Sequence, residues 1–265
     1  MRLMDNKTVA LVVPCFNEEN RLPISYWREL VRIENEVDWI FVNDGSTDGT
    51  SLRLNEIVSG TSARVINCLT NSGKGNAIRA GFLSVLESKP EIEILGYIDC
   101  DGAFSQKDIL SIMELATAKF VPFAGSFFDS VVSSRVALAG HQIKRDSLRH
   151  YLGRVIATIL TSSWEGAPYD TQSGFKLFRN SNSFKNAVNQ EFKTKWFVDI
   201  ELLTRIGINN GGALNIWEEP LTSWRDVEDS KLSMKNAPLL LSEIAIARRE
   251  VLRFIKKRKS QNGSH

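Results

Sequence analysis

The chain has 265 residues, 43% of them hydrophobic and 24% charged, and a formal net charge of +2. That is the profile of a soluble globular protein, large enough to bury a core without staples and to form one large domain or two small ones. Its three cysteines, Cys15, Cys68 and Cys100, are odd in number and lack a Cys-x-x-Cys spacing, which argues against a disulfide framework or a zinc site.

All three cysteines fall in or at the end of apolar runs and read as small buried hydrophobes in a reducing compartment. The N-terminus has no signal-peptide pattern, and no window approaches about 18 uncharged apolar residues. The net charge hides an asymmetry. Residues 248–259, "RREVLRFIKKRK", carry seven Arg/Lys and one Glu, or +6, so the remainder carries 2 − 6 = −4.

The first half alternates in chain order. "TVALVVPCF" predicts a buried strand, and a helix follows from Pro23 to Ile33, with Pro23 in its first turn. "DWIFVND" is a second strand; "GTSLRLNEIVS" is a helix with Leu52, Leu54 and Ile57 apolar. "ARVINCL", "GNAIRAGFLSVLES" and "EILGYID" continue as strand, helix, strand. "SQKDILSIMELA" is a helix opened by Ser105, with Asp108 three residues later in a capping-box pattern. Four strand–helix repeats predict an α/β fold, Rossmann-like, with a mostly parallel central sheet and helices on both faces.

The second half is less regular. "FVPFAGSFFDSVVSSR" reads as one or two strands, 143–162 as a basic helix, "SGFKLFR" as a strand and "FVDIELLTRIGI" as a helix. "ALNIWEEPLTSW" reads as one strand. From Pro238, a stripe of Leu240, Ile244, Ala247, Val251 and Ile255 gives a C-terminal amphipathic helix. The expected organisation is a catalytic domain over 1–235, a basic amphipathic helix over 236–259, and a disordered tail or expression scar over 260–265.

In parallel sheets ligands bind beyond the carboxyl ends of the strands. The polar residues of the first half collect there: Asn17 and Glu18 after the first strand, Asp44 after the second, Asn71 to Lys74 after the third, Asp99 and Asp101 after the fourth. Two carboxylates one residue apart repel unless a cation joins them, and Mg²⁺ or Mn²⁺ binds through one or two carboxylates plus substrate phosphates. A solvated turn explains Asp-x-Asp-Gly equally well in isolation; the company of the other strand-end residues favours a metal. Asp44-Gly45-Ser46 makes a tight turn in which Ser46 or Thr47 caps the next helix, and Asp44 is placed to accept hydrogen bonds from a base or ribose. Gly73 and Gly75 flank Lys74 at a helix start, an arrangement that favours anions. The first strand exit reads "PCFNEEN", with neither Gly-x-Gly-x-x-Gly nor another Gly-rich loop, which sets aside a nicotinamide oxidoreductase and a sugar nucleotidyltransferase.

"VVPCFNEENRLP", "FVNDGSTDGT", "NSGKGNAIRAG", "IDCDGAFS", "SSR", "DTQSGFKLFR", "KWFVDIELL" and "WRDVEDSKL" occur in that order over roughly residues 8–235. Together they resemble family-2 glycosyltransferases of the GT-A fold, and within these the polyprenyl-phosphate (dolichyl-phosphate) β-glucosyltransferases most. The resemblance implies that Pro14, Asn17, Glu18 and Asp44 contact the nucleoside of a nucleotide-sugar, with Lys74 near the base or its phosphates. It implies that Asp99 and Asp101 hold Mg²⁺ or Mn²⁺ on the diphosphate, that Arg135 approaches a phosphate, and that Asp170 sits near the reacting centre as base or orienting group. Trp196, Asp199 and Glu201 would lie on the acceptor side. Asp229 stands where the family commonly has Gly.

The implied reaction is inverting transfer of a hexose, glucose by the motifs, from a nucleotide-sugar, with UDP favoured, to a polyprenyl phosphate. The alternative acceptor is a saccharide or a teichoic- or capsule-type chain, which needs a general base. Arg135, Lys144, Arg145, Arg149, Lys176 and Arg179 are candidate cations for a phosphate acceptor, or else parts of a solvated basic face. The basic helix either docks the enzyme peripherally on the anionic cytoplasmic membrane face or packs on the domain. Nucleic acid is not an expected partner, because aromatics are nearly absent from the basic run.

Overall fold

The computed structural model describes residues 8–119, 128–144, 147–225 and 237–262. The chain divides into two compact units. One is Met1–Gly102 with Gly174–Asn180; the other is Ala103–Ser173 with Ser181–His265.

The first unit is an α/β sheet. Its strands are β1 (Val9–Cys15), β2 (Val37–Asn43), β3 (Arg64–Asn67), β4 (Ile94–Ile98) and β7 (Phe175–Arg179), in the order β3-β2-β1-β4-β7. β1 to β4 are parallel, and β7 runs antiparallel to β4 with Tyr97 opposite Lys176. Every residue of β1, β2 and β4 is buried, which is why these strands are largely apolar and not alternating; the exception inside β2, Asp38, pairs with Arg64 and Lys89.

The connections are α1 (Ile24–Ile33), α2 (Thr50–Val58) and α3 (Lys74–Ser88). α1 begins after Pro23, which is its N-cap residue and not part of its first turn. α1 buries Trp27, whose ring meets Trp39 and Phe41 edge-on at centroid distances of 5.8 and 5.3 Å and whose Nε1–H donates to the Cys100 carbonyl at 2.8 Å. α2 buries Leu54 and Ile57 as expected, but Leu52 is 75% exposed, because only the 54/57 face turns inward. Gly81 lets α3 lie close on the sheet: a Cβ there would run into the methyls of Val12.

The second unit holds α4 (Gln106–Lys119), β5 (Ser130–Ser134), β6 (Gln142–Lys144), α5 (Ser147–Thr161), α6 (Asn182–Asn189), α7 (Val198–Asn209), β8 (Ile216–Pro220), β9 (Ser223–Arg225) and α8 (Ala237–Asn262). β5 pairs with β8 and β6 with β9, both in parallel. Two sequence expectations change here. Ile143 and Lys144 belong to a strand instead of the start of a helix, and "ALNIWEEPLTSW" is two strands split after Pro220. α6 is an addition, opened by Ser181, whose side chain accepts from Phe184 N–H.

α7 is the centre of this unit, buried from Val198 to Gly207. α8 packs on it with Glu243, Ala247, Glu250, Val251 and Phe254 inward. Gly207 makes the space: a Cβ there would meet the Phe254 ring, which also contacts Trp164 edge-on at 5.3 Å. Burying Val251 and Phe254 contributes about 1.5–3 kcal/mol each. Of the stripe read from the sequence, Ala247 and Val251 are buried and Leu240, Ile244 and Ile255 half-buried; Leu239, Leu241 and Leu252, which lie off that stripe, are exposed. Among the described residues no helix is long and apolar enough to cross a membrane.

Candidate functional site

Because β1 to β4 run parallel, the loops after Cys15, Asn43, Asn67 and Ile98 leave from one edge of the first unit's sheet. Asn17 occupies the left-handed region at φ 50°, which Asn tolerates better than most residues. Its N–H donates to Ser46 Oγ at 3.0 Å, and its side-chain oxygen accepts from Thr47 N–H at 2.9 Å. Ser46 and Thr47 therefore latch two strand exits together and do not cap α2, whose N-cap residue is Gly49. Glu18 is buried, donates its N–H to Thr50 Oγ1 at 2.7 Å and faces Arg21 at 3.4 Å. Pro14 lies within β1 opposite Val42.

Asp44 is 2% exposed, and its carboxylate accepts from the backbone N–H groups of Ser72 and Gly73 at 3.0 and 2.9 Å. It ties the second strand exit to the loop that precedes Lys74. Gly45 is required beneath it: φ is 67°, and a Cβ would come within 2.5 Å of the Thr70 carbonyl carbon. Cys68 beside this loop is half-buried rather than buried; burial and then the Asp44 charge raise its thiol pKa.

At the fourth exit, Lys74 Nζ lies 2.6 Å from Asp99 Oδ1 and 5.7 Å from the centroid of the Tyr97 ring. Lys176, fully buried, approaches the same ring at 5.7 Å. Gly174 gives Asp99 room, since a Cβ there would overlap its carboxylate, and its carbonyl accepts from Asp99 N–H at 2.9 Å. The phenol of Tyr26 has its pKa raised by burial and then by the Asp101 charge, so it stays neutral. The Cys100 thiol between the two aspartates is held protonated by the Cys15 hydrogen bond, by burial, and by the charges of Glu18 and Asp101. Among the described residues no cluster of three or more His, Cys, Asp or Glu side chains forms a closed metal cage. Two hard carboxylates at a sheet edge, one already charge-compensated by a lysine, fit Mg²⁺ or Mn²⁺ that takes its other ligands from a diphosphate.

The second unit carries Arg135, Asp170, Trp196 and Asp199. Arg135 follows β5 and grips Asp170 three ways: its N–H and Nε–H reach Oδ2 at 3.0 and 2.7 Å, and Nη2–H reaches Oδ1 at 2.8 Å. The guanidinium also lies 5.3 Å from the centre of the Trp224 ring, which rests edge-on against Phe104 at 4.9 Å. Glu218 on β8 accepts from Tyr169 and Asp170 N–H, both at 2.7 Å, and so fixes the loop that presents Asp170. Asp108, read as a helix cap, exchanges hydrogen bonds with Ser105 and also takes the Thr222 and Ser223 N–H groups at 3.0 and 3.2 Å. Burial works to raise its pKa, but these bonds outweigh burial and lower it.

A second glutamate clamp lies here; the sequence points to Glu201 on the acceptor side but not to its bracing role, and gives no sign of Glu243. Glu201 on α7 accepts from the N–H groups of Lys193 and Thr194, both its oxygens at 3.1 Å from the former and Oε2 at 2.9 Å from the latter. Glu243 on α8 accepts from Lys195 and Trp196 N–H at 3.0 and 2.9 Å. Four consecutive backbone donors thus end on two buried carboxylates and hold the half-buried Trp196. Asp199 is buried in the first turn of α7.

The remaining expected cations separate. Lys176 and Arg179 belong to the first unit, Trp196 and Asp199 to the second. Arg179 pairs with Ile94 at the entry end of β4, about 13–16 Å along the strand from the exit that carries Asp99. Lys144 is exposed on β6; Arg145, the side chain of Arg149, and Asp229 lie outside the described residues.

Solved structures share this architecture. Glucosyl-3-phosphoglycerate synthase of Mycobacterium tuberculosis matches with a TM-score of 0.58 at 20% identity, covering 96% of this chain and 81% of that one. The same enzyme solved with Mg²⁺ and uridine diphosphate matches with a TM-score of 0.58, also at 20% identity, over 96% of this chain and 79% of that one. At that identity the likeness concerns the fold, and the fold is GT-A. The family model Glycosyl transferase family 2 matches residues 10–184. A dolichyl-phosphate beta-glucosyltransferase of Trichomonas vaginalis is 30% identical over 245 residues, 85% of this chain and 68% of the relative. The dolichyl-phosphate beta-glucosyltransferases of Saccharomyces cerevisiae and Homo sapiens are 28% and 29% identical over 85% of this chain, which spans 69% and 70% of theirs. The chain belongs to glycosyl transferase family 2 and is a glycosyltransferase.

Proposed function

We propose that the chain transfers glucose from UDP-glucose to a polyprenyl phosphate, with inversion at the anomeric carbon, as a peripheral enzyme of the cytoplasmic membrane face. Pro14, Asn17, Glu18 and Asp44 would receive the nucleoside, and Lys74 the diphosphate. Asp99 and Asp101 would hold Mg²⁺ or Mn²⁺. A bound divalent cation would supply Lewis-acid stabilisation of the departing diphosphate.

The observation that carries this reading is the state of Asp170. Both of its oxygens accept from Arg135, which supports its reading as an orienting group for a guanidinium over that of a general base. An alcohol acceptor needs a base. A phosphate monoester has a second pKa of about 6 and is already a dianion near neutrality. In the transfer a phosphate oxygen forms the new bond to the anomeric carbon, the bond to the nucleoside diphosphate breaks, and no proton moves. What such a site must do is hold an anionic nucleophile in line, which suits Arg135 braced by Asp170 and stacked on Trp224. Trp196 and Asp199, in the same unit as Arg135 and Asp170, complete the proposed acceptor side. The dolichyl-phosphate acceptor named for the relatives supports the same class of substrate. Exposed Leu239, Leu241 and Leu252 on α8 and Val155 and Ile159 on α5, among basic residues, support a peripheral membrane surface.

The test follows label from UDP-glucose, with UDP-N-acetylglucosamine and GDP-mannose in parallel, into the organic phase with a short polyprenyl phosphate. Transfer from UDP-glucose that chelator and Asp101→Ala abolish is the expected result. No transfer from any donor, with nucleotide binding intact, overturns the lipid acceptor and points to a saccharide.

A further inference from the structure

Part of the basic run on α8 borders a groove: Arg253, Lys256 and Lys257 are exposed and stand along its rim. Glu250, Arg253, Lys256, Lys257 and Ser260 follow i, i+3, i+6, i+7 and i+10 spacing, one face of a helix. Opposite them stand Arg205, Ile208 and Asn209 of α7, themselves at i, i+3 and i+4, with Asn186 and Gln190 at the end of α6. Between these faces lies a cavity of about 510 Å³, entirely within the second unit.

Its charge is one-sided. Arg205 is spent on Glu201 and on the carbonyls of Ala187, Gln190 and Glu191, so it is wall and not ligand. That leaves Lys193, Arg253, Lys256 and Lys257 against the single carboxylate of Glu250, which meets Arg253 at 2.7 Å and Lys193 at 3.7 Å. Lys256 and Lys257 have no ion-pair partner among the described residues. Like charges at i,i+3 and i,i+4 destabilise a helix, and the helix dipole offsets this only in the last turn, which lies beyond Arg253 and Lys256. A counter-anion removes the conflict. Asn186, Gln190 and Asn209 add amide donors, and Ile208 is the sole apolar residue in the lining.

We propose that this cavity is a second anion site, apart from the sugar-transfer reading, that takes a multiply charged phosphate group with a polar carrier. Arg253, Lys256, Lys257 and Lys193 would be its ligands. The phosphate can come from a soluble polyphosphate or from a phospholipid headgroup, and the experiment separates the two.

Full-length protein is titrated with inorganic pyrophosphate in chelator, without donor or acceptor, at constant ionic strength, and backbone amide shifts are followed. In parallel it is sedimented with phosphatidylcholine vesicles with and without phosphatidic acid. The variants are Lys256→Glu/Lys257→Glu and, from the opposite wall, Asn186→Asp, each checked for folding by thermal melting. Expected are shifts on α7 and α8 amides around the cavity and binding at least tenfold weaker in the double variant. Binding of pyrophosphate names the soluble source; vesicle binding alone, lost in both variants, names the headgroup. Equal binding by folded variants, or no response to either probe, overturns the site. Neither result depends on sugar transfer, so failure here is distinct from failure of the proposed function.

Discussion

The two units use carboxylates in opposite ways. In the first, Asp44 is itself a brace on the Ser72 and Gly73 N–H groups, but Asp99 and Asp101 stand directly beyond a strand exit, and Asp99 is matched by a half-exposed side-chain cation, the ammonium of Lys74 at 2.6 Å. In the second, Glu201, Glu218 and Glu243 are braces: each takes two consecutive backbone N–H groups and holds a loop still. The first arrangement leaves charge available for exchange with a ligand. The second consumes it to fix geometry, and a buried carboxylate with two amide donors is expensive to disturb.

Mutations separate the two uses. Asp101→Ala should lower kcat about 10³-fold, ~4 kcal/mol, with metal-free nucleotide binding within a few-fold of wild type by calorimetry. A loss of under tenfold would remove the exit carboxylates from the chemistry. Asp170→Asn should cost about 10²-fold by loosening Arg135, while the pH–rate profile keeps its shape, rising through about pH 6 with the acceptor phosphate. If the substitution instead abolishes a titration, Asp170 is a base and the comparison fails.

Gly45→Ala should destabilise by at least about 2 kcal/mol in urea unfolding, since the turn needs both positive φ and an absent Cβ. Glu243→Gln offers one acceptor where two amides need one each; about 1–3 kcal/mol of stability and a several-fold rise in acceptor KM at unchanged donor KM are expected. Unchanged acceptor KM would make this brace purely structural. The smallest effect belongs to Asp108. Its folded pKa is depressed below the unfolded value of about 3.9, so its contribution is fully present above that value and is lost as pH falls through the folded pKa. The stability gap to Asp108→Asn should therefore be constant near neutrality and shrink below about pH 4.

The difference in use is also a difference in legibility. Exit carboxylates announce themselves because an apolar run, an acid and a glycine are neighbours in sequence, as in "YIDCDG". The strands β1, β2 and β4 were readable for the same reason: every residue of each is buried, so each is a short and largely apolar run, whereas β3 is only half-buried. Braces leave no such mark. Glu218 and Glu243 meet amides 48 residues away, and a backbone N–H has no letter in the sequence. Arg179 shows the converse error: it is close to Lys176 in sequence, yet three residues of extended chain carry it to the other end of the strand. α6 was missed because its inward residues, Phe184, Ala187 and Val188, are few among polar ones, although their i, i+3, i+4 spacing marks the face. β6 and β9 are three residues each and exist through pairing with one another, which local pattern does not encode.

The discontinuity of the first unit has a consequence for how the chain is made. β4 ends at Ile98, but β7, the strand that covers its free side, begins at Phe175. At about 5–20 residues per second of synthesis, the intervening stretch keeps that row of N–H and C=O groups uncovered for several seconds on the ribosome. An open apolar strand edge is a template for pairing with other chains. The nascent protein is therefore most prone to aggregate between the emergence of Ile98 and that of Arg179, well before its last helix is written.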